Sequence, residues 1–298
     1  MIRELKTQKF SEQLNSIYMA FRIPVYLAVW LLLPVFLSGQ TVGKDSTAKV
    51  YKVNRLLSLG IFGAGALGNT VGLQRLRDKP EIPISTLNNL NRDRLWGIDR
   101  AALRVDPLKK DKAASISDRY LYSSLLLPVA LFLDKDIRRD WLDIALLYGE
   151  TQMLASNFYT WGPIGPTFIG RFRPAVYFEE LPLKERNFGG LRNSFFSGHV
   201  SSTATATFFT AQVLLDYNPH LRKYSPAIYA LATVTPIIVG INRVRALKHF
   251  PTDTIIGGIV GAGFGILTPT LHKRWGKRLA LSALYEPSMK GMAMRVKF

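Results

Sequence analysis

Residues 242–253, NRVRALKHFPTD, stand between two apolar runs, residues 227–241 and 254–271, and their charges decide how the chain is read. Arg243 is followed after five residues by His249, and His249 after three more by Asp253. Pro251 suits a first helical turn, where its missing N–H costs little. Asp253 then lies one short turn inside a helix and can reach back to His249. A carboxylate that accepts from one ring nitrogen fixes the tautomer and leaves the other nitrogen basic and nucleophilic. An Arg or Asp costs roughly 2.5 to 3.5 kcal/mol at the centre of a spanning helix, so charges at the mouths of apolar helices require a function.

Two further clusters precede this one. Gly170-Arg171-Phe172-Arg173-Pro174 comes first, and Ser197-Gly198-His199 opens the apolar run at residues 200–215. Gly198 lets backbone N–H groups turn outward where a helix begins, so an anion can sit on the helix N-terminus with the Ser197 hydroxyl as an extra donor. Arg173 and Arg243 each present a planar fork suited to phosphate oxygens. Together they would neutralise charge on a transferring phosphoryl group.

Working outward, the 298 residues carry 39 Lys and Arg against 21 Asp and Glu, a formal charge of +18, with 48% apolar residues. Such a chain is too apolar to stay disordered. No cysteine is present, which excludes disulfides, thiolate metal sites and a cysteine nucleophile. A charge of +18 suits nucleic acid or an anionic membrane, and its distribution chooses the membrane. Apolar runs occupy residues 23–37, 56–73, 121–133, 141–161, 200–215, 227–241 and 254–271, while the linkers 134–140, 218–225 and 272–278 are basic and fall on one side. The positive-inside rule assigns that side to the cytoplasm, and no nucleic-acid motif competes.

Residues 23–37 form a signal peptide or anchor ending near Gly39, so that residues 1–39 are the leader. Residues 56–73 contain several glycines, Asn69 and Thr70, and are expected not to cross as a simple span; residues 40–118 then form an N-terminal periplasmic or membrane-associated segment. The helical core is placed at residues 119–275, and the tail at 276–298 alternates over 290–298 in a strand pattern that could pair with 279–285 as a hairpin.

The three clusters, in this order, resemble the signature of the type 2 phosphatidic acid phosphatase (PAP2) superfamily: Lys-x6-Arg-Pro, Pro-Ser-Gly-His and Ser-Arg-x5-His-x3-Asp. The matching stretches are PTFIGRFRP from Pro166, FSGH from Phe196 and NRVRALKHFPTD from Asn242. The resemblance implies an all-α bundle of about six transmembrane helices and a phosphatase acting on a lipid phosphate or pyrophosphate. It implies His249 as the nucleophile that forms a phosphohistidine, Asp253 as its orienting partner and His199 as general acid and then base. Arg173, Arg243, Ser197 and Gly198 would hold phosphate, with no metal or other cofactor. Departures fall at Pro166 for lysine, Phe196 for proline and Asn242 for serine. Arg171 is the first candidate to replace the lost lysine, ahead of Arg192, Lys184 and Lys248. The expected partners are a lipid phosphate and membrane lipids, with no nucleic acid, at a bacterial inner membrane with a periplasmic site. Alternatives are an exported soluble class A-like acid phosphatase, a vanadate haloperoxidase-like enzyme, and an inactive lipid-headgroup binder suggested by Pro166.

Overall fold

The computed structural model describes residues 49–275, 279–286 and 289–296. The leader expected at residues 23–37 lies outside them, as do the side chains of the tail. Among the described residues six long helices form the body: α1 (Arg55–Arg77), α2 (Lys110–Leu125), α3 (Trp141–Trp161), α4 (Gly198–Tyr217), α5 (Ser225–Arg245) and α6 (Pro251–Trp275). Past α6, two strands, Leu279–Glu286 and Met289–Val296, pair antiparallel with Leu279 opposite Val296.

Three stretches have the length and composition to cross a membrane: α1, Pro219–Arg245, which ends in α5, and Pro251–Arg274 within α6. Six long helices were expected and six are described; the other three are more polar. Helix α2 holds Asp111, Lys112, Asp118 and Arg119, α3 buries Asp143 and Glu150, and α4 buries Thr203, Thr205, Thr207 and Thr210. The apolar run at 121–133 is likewise not one helix, because α2 ends at Leu125 and a 3-10 helix, Leu127–Leu133, follows with Pro128 in its first turn. Large apolar side chains face outward on the three candidate spans, among them Leu67, Val71, Ile237, Ile259 and Leu267, a surface suited to lipid.

Helices α4 and α6 run parallel at very close approach. A Cβ on Gly257 would stand 2.5 Å from the Ser197 carbonyl oxygen, and one on Gly261 would stand 2.1 Å from that of Ser201. Glycine at both positions lets the backbones touch, as small residues do between membrane helices. Thr205 Oγ1 donates across the seam to the Gly261 carbonyl at 3.2 Å. This seam brings His199 and Asp253, each in the first turn of its helix, to the same end of the bundle.

Glycines act similarly where α1 meets α3. Asn157 Nδ2 donates to the Gly65 carbonyl and Trp161 Nε1 to the Gly68 carbonyl, both at 2.8 Å. The glycines expected to interrupt residues 56–73 are therefore a contact face, and α1 is continuous over 23 residues. Its start lies among the basic linkers: Lys49 and Arg55 pair with Asp143, and Tyr51 donates to Asp216 at 2.8 Å. Asp216 also pairs with Lys273, and Asn218 donates to Asp134 at 2.9 Å. Beyond its other end, Asp99 contacts Arg171 and Thr252. Helix α1 thus carries the chain from the linker end of the bundle to the opposite one.

Candidate active site

The Arg171–Arg173 stretch is held by backbone pairing with the approach to α4. Arg171 N donates to the Arg192 carbonyl at 3.1 Å, Arg173 N to the Leu191 carbonyl at 2.8 Å, and Ser194 N to the Arg171 carbonyl at 3.0 Å. Ser197 then caps α4, its Oγ accepting from Val200 N at 3.5 Å while its own N–H donates to the Asp253 carbonyl at 3.0 Å. The three clusters of the sequence are therefore joined through backbone bonds before any side chain acts. On the far side, Leu247 adopts φ 57, a left-handed conformation that costs a non-glycine residue about 1–3 kcal/mol. Its carbonyl accepts from Ala175 N at 3.3 Å, and Lys248 N donates back to Arg243 at 3.1 Å. This turn brings His249 next to the cluster.

His249 is buried, and its Nδ1 lies 2.6 Å from the Ser194 carbonyl oxygen. A carbonyl only accepts, so Nδ1 carries the proton and Nε2 keeps its lone pair. Burial, and then the charges of Arg243 and Arg173, hold its pKa well below the usual histidine value. The ring is neutral at pH 7, as a nucleophile must be.

Asp253 does not bond His249 directly, which corrects the expected reach from one to the other. Its Oδ2 accepts from Ser194 Oγ at 2.6 Å and Phe250 N at 2.7 Å, and Oδ1 accepts from Arg171. These contacts fix the segments on both sides of the ring, Ser194 whose carbonyl holds Nδ1 and Phe250 which follows His249. Asp253 thus touches the segments that flank His249 and not the ring itself.

Arg171 is likewise not turned toward phosphate. Its guanidinium bridges Asp253 and Asp99, the latter at 2.6 Å, donates to Thr252 Oγ1 at 2.9 Å and lies over the Phe250 ring at 4.7 Å. Asp99 is fully buried and also accepts from Thr252 N at 3.0 Å and Thr252 Oγ1 at 2.8 Å. The charge of Arg171 is spent on two carboxylates.

The other side of the site is more cationic. His199 Nε2 lies 3.2 Å from Asp118 Oδ1, and the same oxygen is 3.5 Å from Arg243. The Nε atoms of Arg173 and Arg243 are buried without a hydrogen-bond partner among the described residues. Lys248 is half-buried beside them, and burial followed by the charges of Arg173 and Arg243 brings its pKa down to about 8. Tyr159 packs behind, its ring 3.2 Å from where a Cβ on Gly198 would stand.

Residues 144–277 match the model of the PAP2 superfamily. This stretch of the chain is thus similar to the PAP2 superfamily. Over 145 residues it is 31% identical to phosphatidylglycerophosphatase B of Bacillus subtilis (strain 168), covering 47% of this chain and 64% of that protein. Over 110 residues it is 36% identical to lipid A 1-phosphatase of Rhizobium johnstonii (strain DSM 114642 / LMG 32736 / 3841), covering 36% of this chain and 41% of the relative. The chain thus spans less than two thirds of the length of these relatives. Among solved structures it is similar to that of a transmembrane PAP2 type phosphatidylglycerolphosphate phosphatase from Bacillus subtilis, with 22% identity, a TM-score of 0.38, and coverage of 74% of this chain and 96% of that one.

The fold brings together His249, His199, Arg173, Arg243, Ser197 and Gly198 at one end of the bundle, and places Arg171 and Asp253 in the layer behind. Sequence reasoning missed Asp99, Asp118 and Ser194. The first two precede the matched residues 144–277 altogether, and their charges sit in a polar stretch with no motif. Ser194 lies three residues before Ser197, where only its backbone pairing with Arg171 marks it.

Proposed function

We propose that this chain is a phosphatase that hydrolyses a lipid phosphate monoester, releasing inorganic phosphate through a phosphohistidine at His249. The observation that carries this reading is the hydrogen bond from His249 Nδ1 to the Ser194 carbonyl, which directs a neutral Nε2 into a site bounded by the unpartnered Nε atoms of Arg173 and Arg243. Nε2 attacks phosphorus as the bond from phosphorus to the lipid oxygen breaks, and His199 protonates the departing oxygen. Burial lowers the pKa of His199, and the Asp118 carboxylate 3.2 Å away opposes that shift and favours the imidazolium form that delivers the proton. The arginines and the first N–H groups of α4 hold the phosphoryl oxygens as charge develops. Water then attacks the phosphohistidine while His199 takes its proton, releasing inorganic phosphate and restoring His249.

Lipid as the substrate class is supported by the outward apolar surfaces of α1, α5 and α6 and by the names of the relatives. The basic linkers gather at the end of the bundle opposite the site, so the positive-inside rule favours a site facing the periplasm. Phosphate release from detergent-solubilised phosphatidylglycerophosphate and lipid A 1-phosphate tests the reading. Release by the wild-type chain and its loss in His249→Ala are expected, and wild-type rates in the variant would defeat it.

A further inference from the structure

A phosphate monoester carries about −1.5 to −2 charges at neutral pH. Arg173 and Arg243 face it in the proposed reaction, but Arg243 is already shared with Asp118 at 3.5 Å. Two guanidinium groups less one carboxylate leave the substrate under-neutralised, and the basic side chains nearby differ in what they already bind. Arg171 is committed to Asp99 and Asp253. Lys79 Nζ donates to the Pro166 carbonyl at 2.5 Å, and Arg192 donates to the Pro80 and Glu81 carbonyls, both at 3.2 Å, with its guanidinium over Phe172. Lys110 pairs with Asp111 at 3.3 Å and with Glu185 at 3.1 Å.

Lys248 differs from all of these. Among the described residues its ammonium has no hydrogen-bond or ion-pair partner. The charged groups around it are Arg173 and Arg243, with Asp111 and Lys110 as lesser influences. Its backbone is pinned between the Leu247 turn and His249, with its N–H on the Arg243 carbonyl at 3.1 Å. Half-burying an ammonium against two guanidinium groups costs stability unless an anion compensates it. We propose that Lys248 binds phosphate and completes, with Arg173 and Arg243, a three-cation site for the dianionic terminal phosphate of a monoester. The proposal rests on the phosphatase reading for its substrate, and it makes a phosphodiester, with a single charge, the poorer ligand.

Purified full-length chain in detergent tests it through binding of inorganic phosphate by calorimetry, alongside kcat and KM on a lipid phosphate monoester. Lys248→Met is expected to weaken phosphate binding and lower kcat/KM by about 10- to 100-fold, the loss of a hydrogen bond to a charged group, without lowering the Tm. Lys248→Arg is expected to restore both to within about threefold, as a cation with equivalent reach would. In the wild type, phosphate binding should weaken above about pH 8 as Lys248 loses its proton, and in Lys248→Arg this decline should vanish. Wild-type phosphate affinity in Lys248→Met, or the same pH profile in wild type and Lys248→Arg, would overturn the proposal. If the wild type binds phosphate without turnover while Lys248→Met fails to bind, the phosphatase reading falls and the Lys248 site stands.

Discussion

The two ends of the bundle handle charge in opposite ways. At the linker end each buried carboxylate has a basic partner: Asp143 holds Lys49 and Arg55, Asp216 holds Lys273, and Glu150 lies 3.1 Å from His272 and accepts from Ser58 at 2.5 Å. At the site end the pairing is divided into two layers. Arg171, Asp99 and Asp253 compensate one another behind His249, while of Arg173, Arg243 and Lys248 in front only Arg243 has a carboxylate partner among the described residues, Asp118 at 3.5 Å. Balanced charge marks the parts that hold the helices together, and cationic excess marks the part that meets an anion.

That contrast can be broken in order of effect. His249→Ala should abolish lipid phosphatase activity, by about 10⁴-fold or more for removal of a nucleophile, with Tm close to wild type; a milder loss would move the chemistry to another residue. Arg173→Met should lower kcat/KM by about 10²- to 10³-fold, the scale for one group that stabilises transition-state charge, as measured on the same substrate. Gly261→Ala should cost about 1–3 kcal/mol by overpacking, because its Cβ meets the Ser201 carbonyl; thermal melting would register it, and unchanged Tm would mean the α4–α6 seam is looser than described. The pH profile of kcat/KM reports the free enzyme. Since His249 acts neutral and its pKa is lowered, activity should persist as pH falls through 6.5 and fail only well below it. At the linker end Asp216→Asn should lower stability by about 1–3 kcal/mol and leave kcat/KM within about twofold, so a catalytic collapse there would erase the distinction between the ends.

The candidate site residues were legible because they lie in local clusters. Arg243, His249 and Asp253 span one helix–loop–helix junction, from the end of α5 to the first turn of α6, and Ser197 to His199 lie at one helix start, so their order and spacing could be read together. What was not legible depends on packing between distant segments. Asp99 reaches Arg171 across 72 positions and Asp118 reaches His199 across 81, and nothing in the neighbourhood of either acid hints at its partner. Arg171 looked available for phosphate because both of its carboxylates come from elsewhere in the chain. Residues 56–73 looked too rich in glycine for a simple span because the use of Gly65 and Gly68, contact with Asn157 and Trp161 of α3, is visible only once the two helices lie side by side. Sequence pattern also gave no sign that the threonines of α4 and the carboxylates of α3 are buried inside the bundle, while the outward apolar faces belong to α1, α5 and α6.

The central claim is that the cationic end holds a phosphate for attack by His249. Rapid quenching of the wild-type chain during turnover of a lipid phosphate monoester, followed by peptide mapping under alkaline conditions that preserve phosphohistidine, tests it most directly. The account predicts a phosphoryl group on His249 that forms before free phosphate accumulates and is lost on standing in acid. Turnover with a phosphoryl group on another residue, or with none on the chain at any time, would contradict it.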